Sequence, residues 1–209
     1  MTDARDSLVA IGKSMFERRL TFGSSGNISV KTGDGWLMSP TNVSLGALDP
    51  AKLSQLDASG THVAGDAPTK ESFLHLAMYR ERAGAGAVVH LHSTHSVAVS
   101  CLDGIDPEDV LPPITAYYVM RVGKLPLIPY FAPGDPTLGE AVGKVAAKHS
   151  AVLLANHGPV VAGSSLSAAV NAIEELEETA RLYLLLHGRP TRYLTPEQVA
   201  DLRKRFPNP

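Results

Sequence analysis

The chain is 209 residues long, which suits one domain or a domain with a small appendage. Nineteen Lys+Arg against 21 Asp+Glu leave a formal charge of -2, without the basic excess that a nucleic-acid surface needs. Hydrophobic residues are 44% and charged ones 19%, which excludes a wholly disordered chain and allows a core without staples.

The N-terminal residues are acidic and lack an apolar run, so they do not read as a signal peptide. Apolar stretches are all too short to span a bilayer, so a soluble cytoplasmic protein is expected. Leu8, Ile11, Met15, Phe16 and Leu20 recur at helical spacing and predict a helix over 4–20. Gly23-Ser-Ser-Gly-Asn27 reads as a loop. Ile28 and Val30 alternate as a strand, and Gly33-Asp-Gly35 turns the chain into Trp36-Leu-Met38. Ser39-Pro-Thr-Asn42 is another turn, and short strands are expected within 53–63. Thr69 is expected to cap a helix starting near Lys70, with Glu71 in its first turn and Phe73, Leu74, Ala77 and Met78 buried.

Ala87-Val-Val-His-Leu-His92 predicts a strand, followed by a short helix from Thr94 to Leu102. The lone Cys101 can form no intrachain disulfide and is expected to pack as a small hydrophobe. Prolines 126 and 129 make 125–130 extended. A helix over 136–148 and a strand over 151–155 follow. A turn at Asn156-His-Gly-Pro159 leads to a returning strand over 160–162. Leu166 to Tyr183 carry the stripe of a long helix, and Thr195-Pro-Glu-Gln198 has capping-box spacing for a last helix to about 206. Helices and strands alternate without a linker or repeat, which predicts one α/β domain over 1–209, with a central sheet covered by helices.

Strand side chains alternate, so His90 and His92 share one face, about 6.5 Å apart along the chain, and their rings can converge on one ion. His157 ends another apolar strand, where α/β proteins place chemistry, and Glu71 adds a carboxylate at a helix start. Each alone has a plainer reading: hydrogen-bonded core histidines, a turn residue, a solvated carboxylate. His75 and His95 read as structural or surface residues, and His62, His149 and His187 as chemically silent. Three imidazoles suit Zn²⁺, with Mn²⁺ or another divalent ion as competitors.

Taken together, Gly23-Ser-Ser-Gly-Asn-Ile-Ser29, Ser39-Pro-Thr-Asn42, Pro68-Thr-Lys-Glu71, Val89-His-Leu-His92 and Ala155-Asn-His-Gly158 resemble the class II aldolase/adducin family over about residues 5–187. The resemblance implies a mainly antiparallel sheet in αβα layers and a homotetramer. It also implies a divalent metal, usually zinc, on His90, His92 and His157. Glu71 matches the acid/base carboxylate, which also reaches the metal without substrate. Ser24, Ser25, Gly26, Asn27, Ser39, Thr41, Thr69 and Lys70 match its phosphate-binding turns.

Lys70, Ser39–Gly46, Tyr118–Arg121, Pro129–Asp135 and Glu174–Ala180 further resemble the 3-oxo-tetronate 4-phosphate decarboxylases within that family. That resemblance implies a phosphorylated four-carbon keto acid losing CO₂ through an enediolate to give dihydroxyacetone phosphate. An aldolase or epimerase acting on a ketose phosphate is the alternative, followed by a non-catalytic adducin-like scaffold. The aldolases' catalytic tyrosine, donated by a neighbouring subunit, has no matched counterpart; Thr115 aligns nearest, with Tyr117 and Tyr118 close by.

Overall fold

The computed structural model describes residues 3–132 and 134–207, so Pro133 within the 129–135 motif lies outside the described residues, as do the two residues at each end. Among the described residues, one eight-stranded sheet organises the chain, in the order β4-β3-β2-β1-β5-β8-β7-β6. Its strands are β1 (Asn27–Thr32), β2 (Gly35–Met38), β3 (Ser54–Asp57), β4 (His62–Ala64), β5 (Ala87–His90), β6 (Leu127–Ile128), β7 (Ala151–Leu154) and β8 (Gly158–Gly163). All neighbours pair antiparallel except β6 and β7, which are parallel. Both edge strands are very short, and prolines 126 and 129 flank β6, which limits further pairing there.

The helices are α1 (Ala4–Glu17), α2 (Ser72–Glu81), α3 (Thr94–Ser100), α4 (Ala116–Arg121), α5 (Thr137–Ala146), α6 (Leu166–Leu186) and α7 (Pro196–Arg205). Strand alternation sorts the core into two layers. Ala87, Val89, Leu153 and Val161 face Leu8, Met15, Val99, Ile173 and Leu176 of α1, α3 and α6. Val88, Val152, Leu154, Val160 and Ala162 face Leu74, Met78, Leu138 and Val142 of α2 and α5. The expected αβα layering and mainly antiparallel sheet are therefore present.

Local differences from the sequence reading have physical causes. The first helix ends at Glu17 rather than 20. Arg19 takes a left-handed φ of 61°, and Arg19 N–H and Leu20 N–H donate to the carbonyls of Phe16 and Met15. That is a Schellman ending without the glycine that signals one. Helix α4 was not foreseen, because six residues are too few to show a helical stripe, and Tyr117-Tyr-Val119 favour strand. Cys101 is exposed rather than packed, since it is the C-cap of α3, where the chain turns out to solvent; Asn156 Nδ2 donates to its sulfur at 3.4 Å.

The capping box of α7 forms as its spacing predicts, with Thr195 Oγ1 accepting from Gln198 N–H and Gln198 Oε1 from Thr195 N–H. Thr195→Ala is expected to lower stability by about 1 kcal/mol in urea melts at unchanged m-value. No change in midpoint would show that the box is not formed in solution.

Candidate active site

Three strand ends meet at one point of the sheet. Register sets Asn27 of β1 opposite His90 of β5, and His90 opposite Val160 of β8. The tight β7–β8 connection pairs Leu154 with Gly158 and leaves His157 in the turn, after Asn156 at φ 56°. Strand β5 stops at His90, so His92 lies beyond it rather than within it, in the link to α3. Close approach of the two strand ends requires a glycine at 158: with φ 150°, a Cβ there would stand 2.3 Å from the Leu91 carbonyl oxygen.

The three imidazoles turn their Nε2 atoms toward one another: His90–His92 3.1 Å, His90–His157 3.3 Å and His92–His157 3.0 Å. Glu71 adds its carboxylate, with Oε2 3.4 Å from His90 Nε2 and Oε1 3.2 Å from His157 Nε2. Among the described residues these four form the group whose ligand atoms all lie within 4.8 Å of one another. The donor set fits a divalent cation. Ligands on a tetrahedral zinc at about 2.0–2.1 Å stand about 3.4 Å apart, close to the spacing seen. The Pro159 carbonyl can only accept, at 2.9 Å, so His90 carries its proton on Nδ1; burial lowers its pKa, and the neutral ring aims an Nε2 lone pair into the cluster.

Glu71 is the N-cap residue of α2 rather than part of its first turn, and Thr69 Oγ1 accepts from Glu71 N–H at 3.3 Å instead of capping the helix. Burial opposes its ionisation. Hydrogen bonds from His157 and Asn27 nevertheless hold its carboxyl below the usual carboxylate range. Burial and the other imidazoles lower His92 to about 4.

Two clefts flank the cluster, and both are lined by Glu71 and His92. One, of about 250 Å³, is polar: Ser24, Gly26, Thr41, Asn42 and Lys70 border it. The other, of about 480 Å³, is walled by Phe22, Val97, Tyr130 and Phe131.

The family model for the Class II Aldolase and Adducin N-terminal domain matches residues 6–184. The chain belongs to the class II aldolase/adducin family. It is 49% identical over 200 residues to a 3-oxo-tetronate 4-phosphate decarboxylase of Pectobacterium atrosepticum, covering 95% of this chain and 92% of that one. To the protein of the same name from Haemophilus influenzae it is 48% identical over 208 residues, covering 98% and 99%. The L-fuculose phosphate aldolase of Methanocaldococcus jannaschii is 33% identical over 182 residues, 87% of this chain and 96% of that one. The crystal structure of YgbL from Escherichia coli matches with a TM-score of 0.93 at 48% identity, covering 95% and 97%.

The turns that resemble the class II aldolase phosphate site divide in the structure. Ser24, Ser25, Gly26, Asn27, Thr41, Thr69 and Lys70 all line the polar cleft, but Ser39 does not. It is buried and its Oγ accepts from Ile28 N–H at 3.1 Å, which ties β1 to the following turn. Ser25 Oγ and Ser25 N–H both donate to the Phe22 carbonyl, at 2.6 and 3.0 Å, and the Asn27 amide is engaged by Glu71, so both side chains already have partners within the protein. Gly26 is needed as glycine: φ is 78°, and a Cβ would press on the His90 carbonyl at 3.0 Å.

Near the aldolase tyrosine position, Thr115 caps α4 and donates to Glu175 at 3.1 Å, and Tyr118 is buried. Of the three, Tyr117 alone presents its ring to solvent, with the Arg121 guanidinium 5.0 Å from its centroid.

The sequence reading missed two residues. Glu177, in the motif over 174–180, accepts from His95 N–H (2.9 Å), His95 Nδ1 (2.8 Å), Ser96 N–H (2.9 Å) and Ser96 Oγ (2.7 Å), anchoring the chain just past His92. The motif over 174–180 carries four carboxylates, and nothing in its spacing singles out Glu177. His75, on α2, is fully buried and is not a surface residue.

Burial pushes His75 down to about 3. Its ordinary value is about 6.5, so the unfolded chain takes the proton first as pH falls, and stability declines between roughly pH 6.5 and 3. Metal-free protein is expected to melt at lower urea at about pH 5 than at about pH 7. Equal midpoints would show that His75 titrates freely when folded.

Proposed function

We propose that this chain is a metal-dependent 3-oxo-tetronate 4-phosphate decarboxylase that yields CO₂ and dihydroxyacetone phosphate. The observation that carries this reading is near-half identity along almost the whole chain to proteins of that name, in a chain whose three histidines and Glu71 converge between two clefts. His90, His92 and His157 would hold the cation, with Glu71 beside them; zinc is the ion proposed. When bound, the cation supplies Lewis-acid polarisation of substrate oxygens.

The polar cleft would take the phosphate, through Lys70, the hydroxyls of Ser24 and Thr41 and the backbone N–H of Gly26. Breaking the C1–C2 bond sends its electron pair toward the C3 carbonyl and leaves an enediolate that needs one proton at C2. Glu71 lines both clefts and would take that proton from solvent and deliver it. Thr115 is a poor substitute for an aldolase's proton donor, because its hydroxyl donates to Glu175. Carbon dioxide leaves without needing one.

The same resemblance supports a cytoplasmic homotetramer, which analytical ultracentrifugation tests. Among the described residues no helix is long and apolar enough to cross a membrane. The functional test is direct: zinc-loaded protein with 3-oxo-tetronate 4-phosphate should release CO₂ and dihydroxyacetone phosphate in equal amounts. Release of an aldehyde from a ketose phosphate, with no CO₂ from the keto acid, would assign an aldolase instead.

A further inference from the structure

Behind Glu71 runs a buried chain of polar side chains that the proposed chemistry does not use. Glu71, His75 and Tyr79 are spaced four apart around α2, and Asn27 and Ser29 share one face of β1 opposite them. Asn27 Nδ2 lies 2.8 Å from Glu71 Oε2, and Asn27 Oδ1 lies 2.5 Å from His75 Nε2. His75 Nδ1 lies 2.7 Å from Ser29 Oγ, which lies 2.9 Å from Tyr79 Oη. Asn27, Ser29, His75 and Tyr79 are all at least nine-tenths buried.

The direction of every proton in this chain follows from its first member. A carboxylate only accepts, so Asn27 Nδ2 donates to Glu71 and Oδ1 is left as an acceptor. His75 Nε2 must then carry a proton. Burial keeps the ring neutral, so Nδ1 holds a lone pair and accepts a hydrogen bond from the Ser29 hydroxyl. Ser29 Oγ accepts in turn from Tyr79 Oη. Reversing any one link would face two donors or two acceptors in the dry interior, where an unsatisfied group costs about 1–3 kcal/mol.

We propose that His75 is a positioning residue for Glu71: by donating from Nε2 to Asn27 Oδ1 it locks the Asn27 amide so that Nδ2–H faces the Glu71 carboxylate, while Ser29 and Tyr79 set its tautomer. This rests on the reading of Glu71 as the acid/base group. Without His75 the Asn27 amide is free to turn its oxygen toward the carboxylate, which repels it and moves Glu71 from its place between the clefts. Neither His75 nor Tyr79 borders the polar cleft or belongs to the histidine cluster, so phosphate binding and bound metal are left intact.

The test compares His75→Leu, which removes the donor, with His75→Gln, whose side-chain NH₂ can stand in for Nε2–H. His75→Leu is expected to lose about 10–100-fold in kcat, the range for residues that orient a functional group, with KM and zinc content unchanged. His75→Gln should recover most of the loss. His75→Leu combined with Asn27→Ala should be no slower than Asn27→Ala alone, because the two act in series. Equal impairment of the Leu and Gln variants, a loss confined to KM or to zinc content, or multiplying losses in the double variant would overturn the proposal.

A measurement independent of activity uses the unmodified protein. Long-range ¹H–¹⁵N NMR should show His75 protonated at Nε2 alone, and an Nδ1–H tautomer or an imidazolium overturns the proposed direction. Full turnover by Glu71→Gln would defeat the acid/base reading of Glu71. A slow Glu71→Gln beside a fully active His75→Leu would defeat the positioning role alone.

Discussion

Glu71→Gln is expected to lower decarboxylase turnover by about 10²–10⁴-fold, the contribution of a positioned acid/base group. The substitution keeps the shape and most of the contacts. A glutamine Oε1 still accepts from Asn27 Nδ2, now at 2.8 Å from the carboxylate, and an amide NH₂ can face the imidazoles. What would be lost is the proposed delivery of a proton to C2. Three imidazoles remain for the cation, so zinc content by mass spectrometry and KM for the phosphorylated acid should stay near those of the unmodified protein. Undiminished turnover would move proton delivery to another group, and loss of zinc would show that Glu71 is mainly a ligand.

His92→Ala is expected to abolish stoichiometric metal binding and, with it, turnover. His92 Nε2 stands 3.1 and 3.0 Å from those of His90 and His157, so its removal leaves two imidazoles and one carboxylate. Changes to the outer partners of ligands already cost about 10–100-fold in affinity, and a direct ligand costs more. His92 lies outside the strand and is only partly buried, so truncation opens the cleft without emptying the core. The control is His62→Ala on the exposed edge strand β4, which should bind metal and turn over normally. A His92→Ala protein that retains one zinc per chain and full activity would refute the site.

How much of this was legible beforehand depended on range. His90-Leu-His92 is a short-range pattern: alternation places both rings on one side whatever the rest of the chain does. Their meeting with His157 was not legible from spacing, because it needs β8 to pair with β5 and the β7–β8 turn to be held against Leu91 by Gly158. Family resemblance linked the three residues; their physical convergence comes from that register.

The helix was expected to start near Lys70, two residues too early, which put Glu71 in its first turn instead of at the N-cap; a carboxylate near a helix start satisfies the dipole argument at either position. Ser39, Ser25 and Asn27 show the commoner failure. Turn residues with hydroxyl and amide side chains suit phosphate, but the same groups also satisfy backbone, and only coordinates tell which they do. His75 was read as a structural or surface residue, and it is structural: it lies fully buried, but its link to Glu71 through Asn27 was not legible. Its stripe with Glu71 and Tyr79 was visible, but the facing Asn27 and Ser29 on a strand more than 40 residues away were not.

The amino-acid sequence by itself determined the alternation of helices and strands, the extent of most elements, the single α/β class and the chemistry of the ligand-bearing segments. Those are consequences of local periodicity, capping and residue type, which act over a few bonds. Tertiary structure alone decided which strand ends adjoin, which hydroxyls face the cleft, and which way the buried amide and imidazole point. Those depend on cross-strand register and on the rule that every buried donor finds an acceptor, conditions met between residues far apart in the chain.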